Sequence, residues 1–467
     1  MSQARDPYSG LAALKPARRR EYVPVSAREG ETLVRGMVPE IPPGAEGLAQ
    51  ILGAVPRSNR FGEHLWMRRW FSEQVAAGDD LGAPEDSFDL AVLRLIAPGA
   101  PKEVADPRQW LFLDTETTGM SGGSGTYAFL VGIAWWDAGG LEVEQFFMRE
   151  HSEEHSLLLE LAERMSERSV LVTFNGKSFD WPLLETRYRM TRTIKTPAPR
   201  AHLDFLHPAR NLWRPRLGSV RLPELERHVL GWNRCDDLPS ELIPSIYFGY
   251  LRGGSPEPLV PIFHHNQMDL RGLAALATRV LGLLSNPEER GQDALELFGV
   301  SRICERRGET VRARRLYARS IICELPEDAG RKARRSLALL AKRAGEFDQA
   351  QNLWQQMLGD SREGLEAYEQ LAIHLERRAR DHEKAAALVR EALAILRKAN
   401  RSGTIEPVAY KRHKERFKRR LQRLERRTQR TLLDSVEPAS QSTLAESNVS
   451  NAGGSFHAKS IARRPKE

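Results

Sequence analysis

Five short apolar runs between residues 110 and 207 constrain the fold of this chain more than any other feature. Each has the length and composition of a buried strand, and they read WLFLD, TYAFLVGIAWW, LEVEQFFMR, SVLVTFN and AHLDFLH. Amphipathic helical patterns follow the later runs, at residues 155–167, 181–190, 222–231 and 269–284. The order of three strands, helix, strand, helix, strand and then helices predicts a mixed α/β domain built on one sheet.

Beyond about residue 290 the strand pattern stops and three similar segments appear. They read RRGETVRA (306–313), RAGEFDQA (343–350) and RARDHEKA (378–385), and they are spaced by 37 and 35 residues. An apolar helix precedes each segment and an alanine-rich helix follows it. This pattern predicts helix–turn–helix repeats of about 34 residues, loosely similar to tetratricopeptide repeats. An ordinary helical bundle is the alternative.

Composition divides the rest of the chain. Residues 1–60 are rich in Pro, Gly and Arg and are predicted to be a flexible leader. Residues 61–105 are predicted to be a helical lead-in, because the apolar residues of HLWMRRWFSEQV (64–75) fall at helical spacing. The other predicted segments are an α/β domain at 106–285, helical repeats at 290–400, a basic helix at 401–432 and a disordered tail at 433–467.

The net charge of +8 is concentrated in one segment. Residues 401–430 hold twelve Lys or Arg and three Glu, a charge of +9, so the rest of the chain sums to −1. Such a charge run is usually a solvated face, and the alternative is an anchor for nucleic acid.

The remaining composition excludes several classes of protein. The three cysteines, Cys235, Cys304 and Cys323, lie far apart, which argues against a zinc site or a disulfide framework. No apolar run reaches the roughly 18–20 residues of a membrane helix, so no membrane partner is expected. No signal peptide is expected either, and the predicted location is cytoplasmic.

The stretch LFLDTETTG (111–119) joins an apolar run to two carboxylates. On a strand, residues two apart point to the same face, so Asp114 and Glu116 are expected to lie side by side. Their mutual repulsion is unfavourable unless a cation or a hydrogen-bond network offsets it.

Two further stretches contribute acids at comparable positions. Asp180 follows the strand of VTFNGKSFDWPLL (172–184), and Asp269 in FHHNQMDLRGL (263–273) is predicted at the start of a helix. Helix capping is the plain interpretation of each. Together with Asp114 and Glu116, however, they give four carboxylates at strand ends and helix starts, where ligand sites gather in such folds. Carboxylates without a cysteine cluster suit Mg²⁺ or Mn²⁺.

The chain resembles the DEDD superfamily of 3′→5′ exonucleases, and the YprB-like predicted exonucleases in particular. The resemblance covers roughly residues 106–285 and is carried by DTETTG (114–119), FNGKSFDWPLLETR (174–187), LPELERHVLGWNRCDDLPSELIPSIY (222–247) and HNQMD (265–269). It implies a ribonuclease H-like fold and metal-dependent hydrolysis at the ends of single-stranded DNA or RNA. Helical repeats often follow the nuclease domain in such proteins.

By this resemblance, four carboxylates hold two Mg²⁺ or Mn²⁺ ions: Asp114, Glu116, Asp180 and Asp269. The terminal nucleotide would contact Thr117 and Thr118, and Asn175 would position the loop that carries Asp180 or contact the substrate. The superfamily's general base lies four or five residues before the last aspartate, which is His265 or His264 here. The HNxxD pattern favours His265, and a histidine titrates in the right range for proton removal.

Other residues have weaker claims on the site. Asp204 is either a fifth acid or a structural residue at a strand end. Four arginines are candidates for phosphate contacts: Arg187, Arg210, Arg214 and Arg216. The alternative to an enzyme is a non-catalytic adaptor that binds nucleic acid and recruits a protein partner through residues 290–400.

Overall fold

The computed structural model describes residues 47–72, 87–119, 125–137, 139–234, 237–290, 293–358 and 364–436, with side chains up to residue 429. The predicted leader before residue 47 and the predicted tail after residue 436 lie outside these residues. The chain divides into two compact units, one up to Met357 and one from Leu358. No helix among the described residues is long and apolar enough to cross a bilayer.

A seven-stranded mixed sheet organises the first unit. Its strands are β1 (Val55–Asn59), β2 (Gly62–Ser72), β3 (Trp110–Thr117), β4 (Ala128–Asp137), β5 (Gly140–Phe147), β6 (Val170–Thr173) and β7 (Ala201–Asp204). Their order across the sheet is β1-β2-β5-β4-β3-β6-β7. The pairs from β1 to β3 are antiparallel, whereas β3, β6 and β7 run parallel. The predicted mixed α/β domain followed by helices is confirmed.

The central strand β3 is buried on both faces, because helices cover the sheet on both sides. Trp110 and Phe112 pack into one core layer, and Leu111 and Leu113 pack into the other. An apolar run of this kind is typical of a strand in the middle of a layered α/β domain. It also fixes the face to which the residues after Leu113 point.

The predictions for the leader and the lead-in are wrong where they overlap the sheet. Residues 48–52 form helix α1 and residues 55–59 form the edge strand β1, so this part of the predicted leader is ordered secondary structure. Residues 62–72 form β2 rather than a helix. The pairing of β2 with β5 along eight residues overrides the local helical spacing of its apolar side chains.

Helices fill both sides of the sheet and extend the first unit beyond it. Those up to residue 290 are α2 (Leu90–Ile96), α3 (Glu154–Glu167), α4 (Asp180–Thr191), α5 (Leu206–Leu212), α6 (Arg214–Leu217), α7 (Leu222–Leu225, continued by a π-helical turn at Glu226–Leu230), α8 (Ile243–Leu251), α9 (Val260–Ser285) and α10 (Pro287–Arg290). The predicted start of a helix at Asp269 is wrong, because α9 begins at Val260. Pro261 in its first turn is the signal for that start.

The helices after residue 293 form pairs joined by similar turns. They are α11 (Ala294–Arg306), α12 (Thr310–Ile322), α13 (Glu327–Arg343), α14 (Phe347–Gln356), α15 (Gly364–His374) and α16 (His382–Arg401). The third residue of each of the three similar segments, Gly308, Gly345 and Arg380, has a left-handed backbone conformation. The internal similarity therefore corresponds to a repeated helical hairpin, and its assignment to tetratricopeptide repeats stays a prediction.

The unit boundary falls within the range predicted for the repeats. Helices α11–α14 belong to the first unit, where Phe298 of α11 joins the same core layer as Trp213 after α5. The second unit contains α15, α16 and the long helix α17 (Pro407–Val436), with a core of its own.

Candidate active site

Two carboxylates lie at the carboxyl end of β3. Asp114 and Glu116 continue the face of Trp110 and Phe112, as expected for residues two apart on a strand. Helix α9 covers this face, and its Asn266 donates a hydrogen bond from Nδ2 to Asp114 Oδ2 at 2.8 Å. Both carboxylates are therefore held against a helix rather than in open solvent.

The third carboxylate is delivered by the loop between β6 and α4. Asp180 is the first residue of α4, and its Oδ1 accepts a hydrogen bond of 2.6 Å from the Thr115 hydroxyl. The loop turns sharply at Asn175, whose φ is +71°. At Gly176 a Cβ would lie 2.5 Å from the side chain of Thr173, so the close approach requires glycine.

Asp204 stabilises this loop through hydrogen bonds to its backbone. At the end of β7, its Oδ1 accepts the backbone N–H groups of Asn175 (2.9 Å) and Leu206 (3.0 Å). Its Oδ2 accepts the backbone N–H of Lys177 at 3.1 Å. Three backbone hydrogen bonds identify Asp204 as the structural strand-end residue rather than a fifth acid of the site.

The fourth carboxylate and a histidine lie one turn apart on α9. His265 Nε2 is 3.7 Å from Asp269 Oδ2, and His265 Nδ1 is 2.6 Å from Asp237 Oδ1. Burial lowers the pKa of the neighbouring His264, and the charge of Arg271 lowers it further. The helical geometry of α9 directs His265 toward Asp269, because residues four apart share a face of a helix.

A buried arginine links three carboxylates at this end of the site. Arg234, with 5% of its side chain exposed, contacts Asp269 at 2.5 Å and Asp237 at 3.1 Å. It also makes two hydrogen bonds, of 2.5 and 2.6 Å, to Glu226. No role was predicted from the sequence for Arg234, Asp237 or Glu226. They lie within the segment 222–247 that carried part of the family resemblance, but no periodicity or spacing singles them out.

Burial and mutual repulsion shift the protonation of the carboxylates. Burial, followed by the charges of Asp269, Glu116 and Asp180, raises the pKa of Asp114 well above its usual range. Burial also raises the pKa of Glu116 to about 8 and that of Asp180 to about 6. Without a cation, the cluster holds protons at neutral pH that exposed carboxyl groups would release.

His265, unlike these carboxylates, is held in its charged form. Burial lowers its pKa, but the hydrogen bond to Asp237 and the negative charges of Asp269 and Glu116 outweigh that effect and raise it to about 9. In the metal-free site the imidazole is therefore protonated at neutral pH, and it contributes a positive charge beside the carboxylates.

The donor set fits a hard divalent cation by chemistry. Four oxygen-donating carboxylates repel one another in a partly buried position, and Mg²⁺ and Mn²⁺ prefer such oxygen ligands. Among the described residues, however, no three His, Cys, Asp or Glu side chains converge with the geometry of a formed metal site. Asp114, Asp180 and Asp269 instead each turn one oxygen to a protein donor: Asn266, Thr115 and Arg234. These oxygens would have to exchange partners on metal binding.

The residues predicted to contact substrate have protein partners. The Thr117 hydroxyl donates to the carbonyl of Gly119 at 3.0 Å, and the Thr118 hydroxyl accepts the backbone N–H of Tyr127 at 2.9 Å. Both threonines therefore stabilise the connection between β3 and β4, and their contact with a nucleotide stays a prediction. Asn175 shapes the loop before Asp180 through its left-handed backbone, and its role in positioning that loop or in binding substrate stays a prediction.

The arginines proposed for phosphate contacts divide into different environments. Arg187 is buried, pairs with Glu154 through two hydrogen bonds of 2.5 Å and lies over the Tyr127 ring, so its prediction as a phosphate ligand is wrong. Arg216 pairs with Asp293 at 2.9 Å. Arg210 and Arg214 are exposed, and their role stays a prediction.

A glycine in β4 makes room for the Asn266 side chain that orients Asp114. Gly132 pairs with Asp114 in register, and a Cβ on Gly132 would lie 2.1 Å from Asn266 Oδ1 and 2.8 Å from Leu270 Cδ1. Gln145 of β5 donates to the same Asn266 oxygen at 2.8 Å, which fixes the amide so that its NH₂ group faces Asp114.

We expect Gly132→Ala to displace Asn266 and to cost about 1–3 kcal/mol of unfolding free energy through overpacking. Gly249→Ala in α8 is the matched control, because a Cβ there meets nothing within 4 Å. Chemical denaturation of both variants checks this expectation. An unchanged stability for Gly132→Ala would contradict the close packing of Asn266 against β4.

Comparison with known protein families gives a match to the region that contains most of the sheet. Residues 111–281 match the RNase H superfamily. The matched residues run from β3 into α9, so the mixed sheet and flanking helices of this region resemble an RNase H-like domain, and they include Asp114, Glu116, Asp180 and Asp269.

A particular relative is the "Uncharacterized protein YprB" of Bacillus subtilis (strain 168). It is 32% identical over 247 residues, which are 53% of this chain and 59% of that protein's length. The structure of the family B DNA polymerase from the hyperthermophilic archaeon Pyrobaculum calidifontis aligns with a TM-score of 0.31 and 14% identity, over 50% of this chain and 29% of the polymerase. A similarity at that level supports no argument about function.

Proposed function

We propose that this chain is a metal-dependent 3′→5′ exonuclease that hydrolyses phosphodiester bonds at single-stranded ends of DNA or RNA. One observation carries the proposal: three stretches distant in sequence bring Asp114, Glu116, Asp180 and Asp269 into mutual electrostatic contact in an RNase H-like domain. Asp114 and Glu116 lie in the carboxyl-terminal half of β3 and Asp180 follows β6, at the edge of the sheet where sheet-based enzymes commonly bind their ligands.

The four carboxylates would hold two Mg²⁺ or Mn²⁺ ions. Such ions polarise the scissile phosphate and lower the pKa of an attacking water, which is the chemistry that phosphodiester hydrolysis requires. The protein contributes the position of each ligand. Asn266 and Thr115 orient Asp114 and Asp180, and the Arg234 network orients Asp269. Supporting hydrogen bonds of this kind keep ligands in place for catalysis.

The strand end would reach the site along an exposed surface beside Asp180. Phe179, the residue before it, has 58% of its area exposed although it is a large apolar side chain. An exposed ring next to a catalytic carboxylate offers a stacking surface for a nucleotide base. The exposed Phe179 ring suits a single-stranded end, because a base in a duplex is already stacked on its neighbours and is not available to the ring.

His265 is the proposed general base. It lies between Asp237 and Asp269, and its raised pKa results partly from Asp269 and Glu116, which are themselves proposed metal ligands. Once those carboxylates are neutralised, the pKa of His265 returns toward the range in which an imidazole removes a proton near neutral pH. Asp237 accepts the Nδ1 proton and holds the ring in orientation.

Substitution of each histidine in turn tests whether His265 or His264 is the general base. We expect His265→Ala to lower kcat by about 10²–10⁴-fold, the usual contribution of a general base, and to remove the matching limb of the pH–rate profile. We expect His264→Ala to leave kcat and the profile nearly unchanged. A larger decrease of kcat in His264→Ala than in His265→Ala would reverse the assignment.

Strand polarity and metal dependence test the proposed activity directly. We expect 5′-labelled single strands of DNA or RNA to be shortened stepwise from the 3′ end in Mn²⁺ and to stay intact in EDTA. Strands with a blocked 3′ end, and circular strands, are the controls. Cleavage of a circular strand would indicate an endonuclease, and shortening in EDTA would contradict metal dependence.

Two further proposals concern the location of the protein and a protein partner. We place the activity in the cytoplasm and assign to residues 290–400 a role in binding a protein partner. Pull-down with full-length protein and with a variant altered on the exposed faces of α11–α16 tests that role.

A further inference from the structure

Helix α17 of the second unit presents one narrow apolar stripe and an otherwise basic surface. Phe417 and Leu424 are buried in a core with Tyr368 of α15 and with Val389 and Leu396 of α16. Within residues 411–430 the helix carries eight Arg and three Lys. The apolar stripe accounts for how the helix packs, but it does not account for the arginines.

Two buried glutamates hold four of these arginines in place. Arg416 Nε is 2.7 Å from Glu369 Oε1, and that glutamate has 7% of its side chain exposed. Glu376, with 3% of its side chain exposed, accepts hydrogen bonds from Arg420 (2.8 Å), Arg423 (2.8 and 2.9 Å) and Arg427 (3.1 Å). Four positive charges thus share two negative charges, which leaves an excess of +2 fixed on the surface.

The fixed arginines continue into a longer stripe. An open groove of about 420 Å³ is lined by Arg412, Glu415, Arg416, Arg419, Arg420 and Arg423. Successive arginines three or four residues apart rise by about 4.5–6 Å along one side of the helix. Arg416 and Arg423 remain 59% and 46% exposed, so each keeps N–H groups available after its contact with glutamate.

This arrangement differs from an ordinary solvated charge run. A long flexible side chain loses conformational entropy when it binds an anion, and a contact to a buried carboxylate removes part of that entropy cost in advance. Arginine also presents a rigid fork that matches the geometry of phosphate oxygens. The residues that line the groove include no aromatic side chain for base stacking, which predicts recognition of a backbone without regard to sequence.

We propose that the arginine stripe of α17, formed by Arg412, Arg416, Arg419, Arg420 and Arg423, binds the phosphate backbone of a single-stranded nucleic acid. It is a second nucleic-acid site, separate from the carboxylate cluster. The choice of a nucleic acid over an acidic protein rests on the nuclease function proposed above, and the positive excess rests on the geometry of α17 alone.

Two double charge reversals test the stripe in the full-length protein. Arg412→Glu/Arg419→Glu alters the stripe at two exposed residues that contact neither Glu369 nor Glu376. Lys411→Glu/Lys418→Glu is the matched control, because it makes the same change in net charge at the same spacing on another face of α17. Binding of fluorescein-labelled oligodeoxythymidine and oligouridine is measured by anisotropy over a range of salt concentrations in EDTA, which prevents cleavage.

We expect the stripe variant to bind at least about tenfold more weakly, and its log–log salt slope to fall by about 1.4, or roughly 0.7 for each phosphate that the variant no longer neutralises. The control should keep most of the slope. Equal weakening in both variants would show an effect of net charge only and would overturn the proposal. Competition by polyglutamate as strong as that by unlabelled oligonucleotide would show a general polyanion surface and would also overturn it.

Cleavage of a very short oligonucleotide distinguishes failure of the stripe proposal from failure of the proposed nuclease function. Such a substrate, for example a dinucleotide, has no second phosphate that could contact the stripe while it occupies the carboxylate site, so the stripe variant should retain wild-type kcat on it. If the salt slopes behave as expected but no strand is ever cleaved, the nuclease proposal fails and the stripe remains a nucleic-acid site.

Discussion

Replacing Asp114 by Asn is expected to abolish strand cleavage while the protein stays folded. Asn keeps the shape of the side chain and still accepts a hydrogen bond from Asn266, but it removes one negative charge from the proposed metal ligands. Loss of metal-mediated stabilisation of several kcal/mol corresponds to a fall in rate of at least about 10³-fold. Gel analysis of 5′-labelled strands measures the rate.

Asp204→Asn is the informative comparison for this prediction. Asp204 accepts three backbone N–H groups, so its amide replacement leaves buried groups without a proper partner and costs about 1–3 kcal/mol of stability. We expect its activity to fall together with its stability, because Asp204 holds the loop that carries Asp180. Asp114→Asn should instead lose activity without losing stability. Cleavage at the wild-type rate by Asp114→Asn would remove Asp114 from the catalytic group.

The second large effect is a stability that depends on pH and on divalent cations together. In the folded metal-free protein Glu116 has a pKa of about 8, against an ordinary value of 4.5, so it binds a proton that the unfolded chain releases. The free energy of unfolding therefore falls as pH rises through that window. His265 acts in the same direction between 6.5 and about 9, because its stabilising charge is lost as pH rises.

We expect the metal-free protein to unfold at a distinctly lower temperature at pH 8.5 than at pH 6.5. Each group contributes up to about 1.4 kcal/mol per pH unit within its window. Added Mg²⁺ should restore the melting temperature at pH 8.5 and have less effect at pH 6.5, because bound cations neutralise the same carboxylates. Desolvation lowers the pKa values of the buried His64 and the half-buried His202 to about 4, so these groups act below pH 6.5 and do not disturb this comparison.

Glu116→Gln isolates the source of the effect. The variant cannot ionise at this position, so its metal-free form should lose less stability between pH 6.5 and 8.5 than the wild type does. Scanning calorimetry in EDTA and in Mg²⁺ supplies the melting temperatures of both proteins at both pH values. A wild-type melting temperature that rises with pH in EDTA would contradict the buried, protonated cluster.

Local sequence patterns predicted the sheet because its central strands are almost wholly apolar. Run lengths and the DxE spacing were enough to place Asp114 and Glu116 on one face of β3. The same reasoning failed for β2, where Leu65, Trp66, Trp70 and Phe71 satisfy a helical spacing. Pairing with β5 decides the conformation of this segment, and a partner strand distant in sequence leaves no local trace.

The site itself was predictable only in part. No spacing rule brings Asp180 and Asp269 to β3, and the resemblance to known exonucleases supplied that expectation. Arg234 and Asp237 could not have been found in this way. Both residues lie outside regular secondary structure, and their importance comes entirely from their contacts with Asp269 and His265.

A Mn²⁺ titration of the purified protein, followed by electron paramagnetic resonance of the free ion, tests the central claim most directly. We predict about two bound ions per wild-type chain, the number required for a two-metal hydrolysis, and loss of that binding in Asp114→Asn but not in Lys411→Glu/Lys418→Glu. Equal Mn²⁺ binding by wild type and Asp114→Asn would show that Asp114, Glu116, Asp180 and Asp269 are not the metal site.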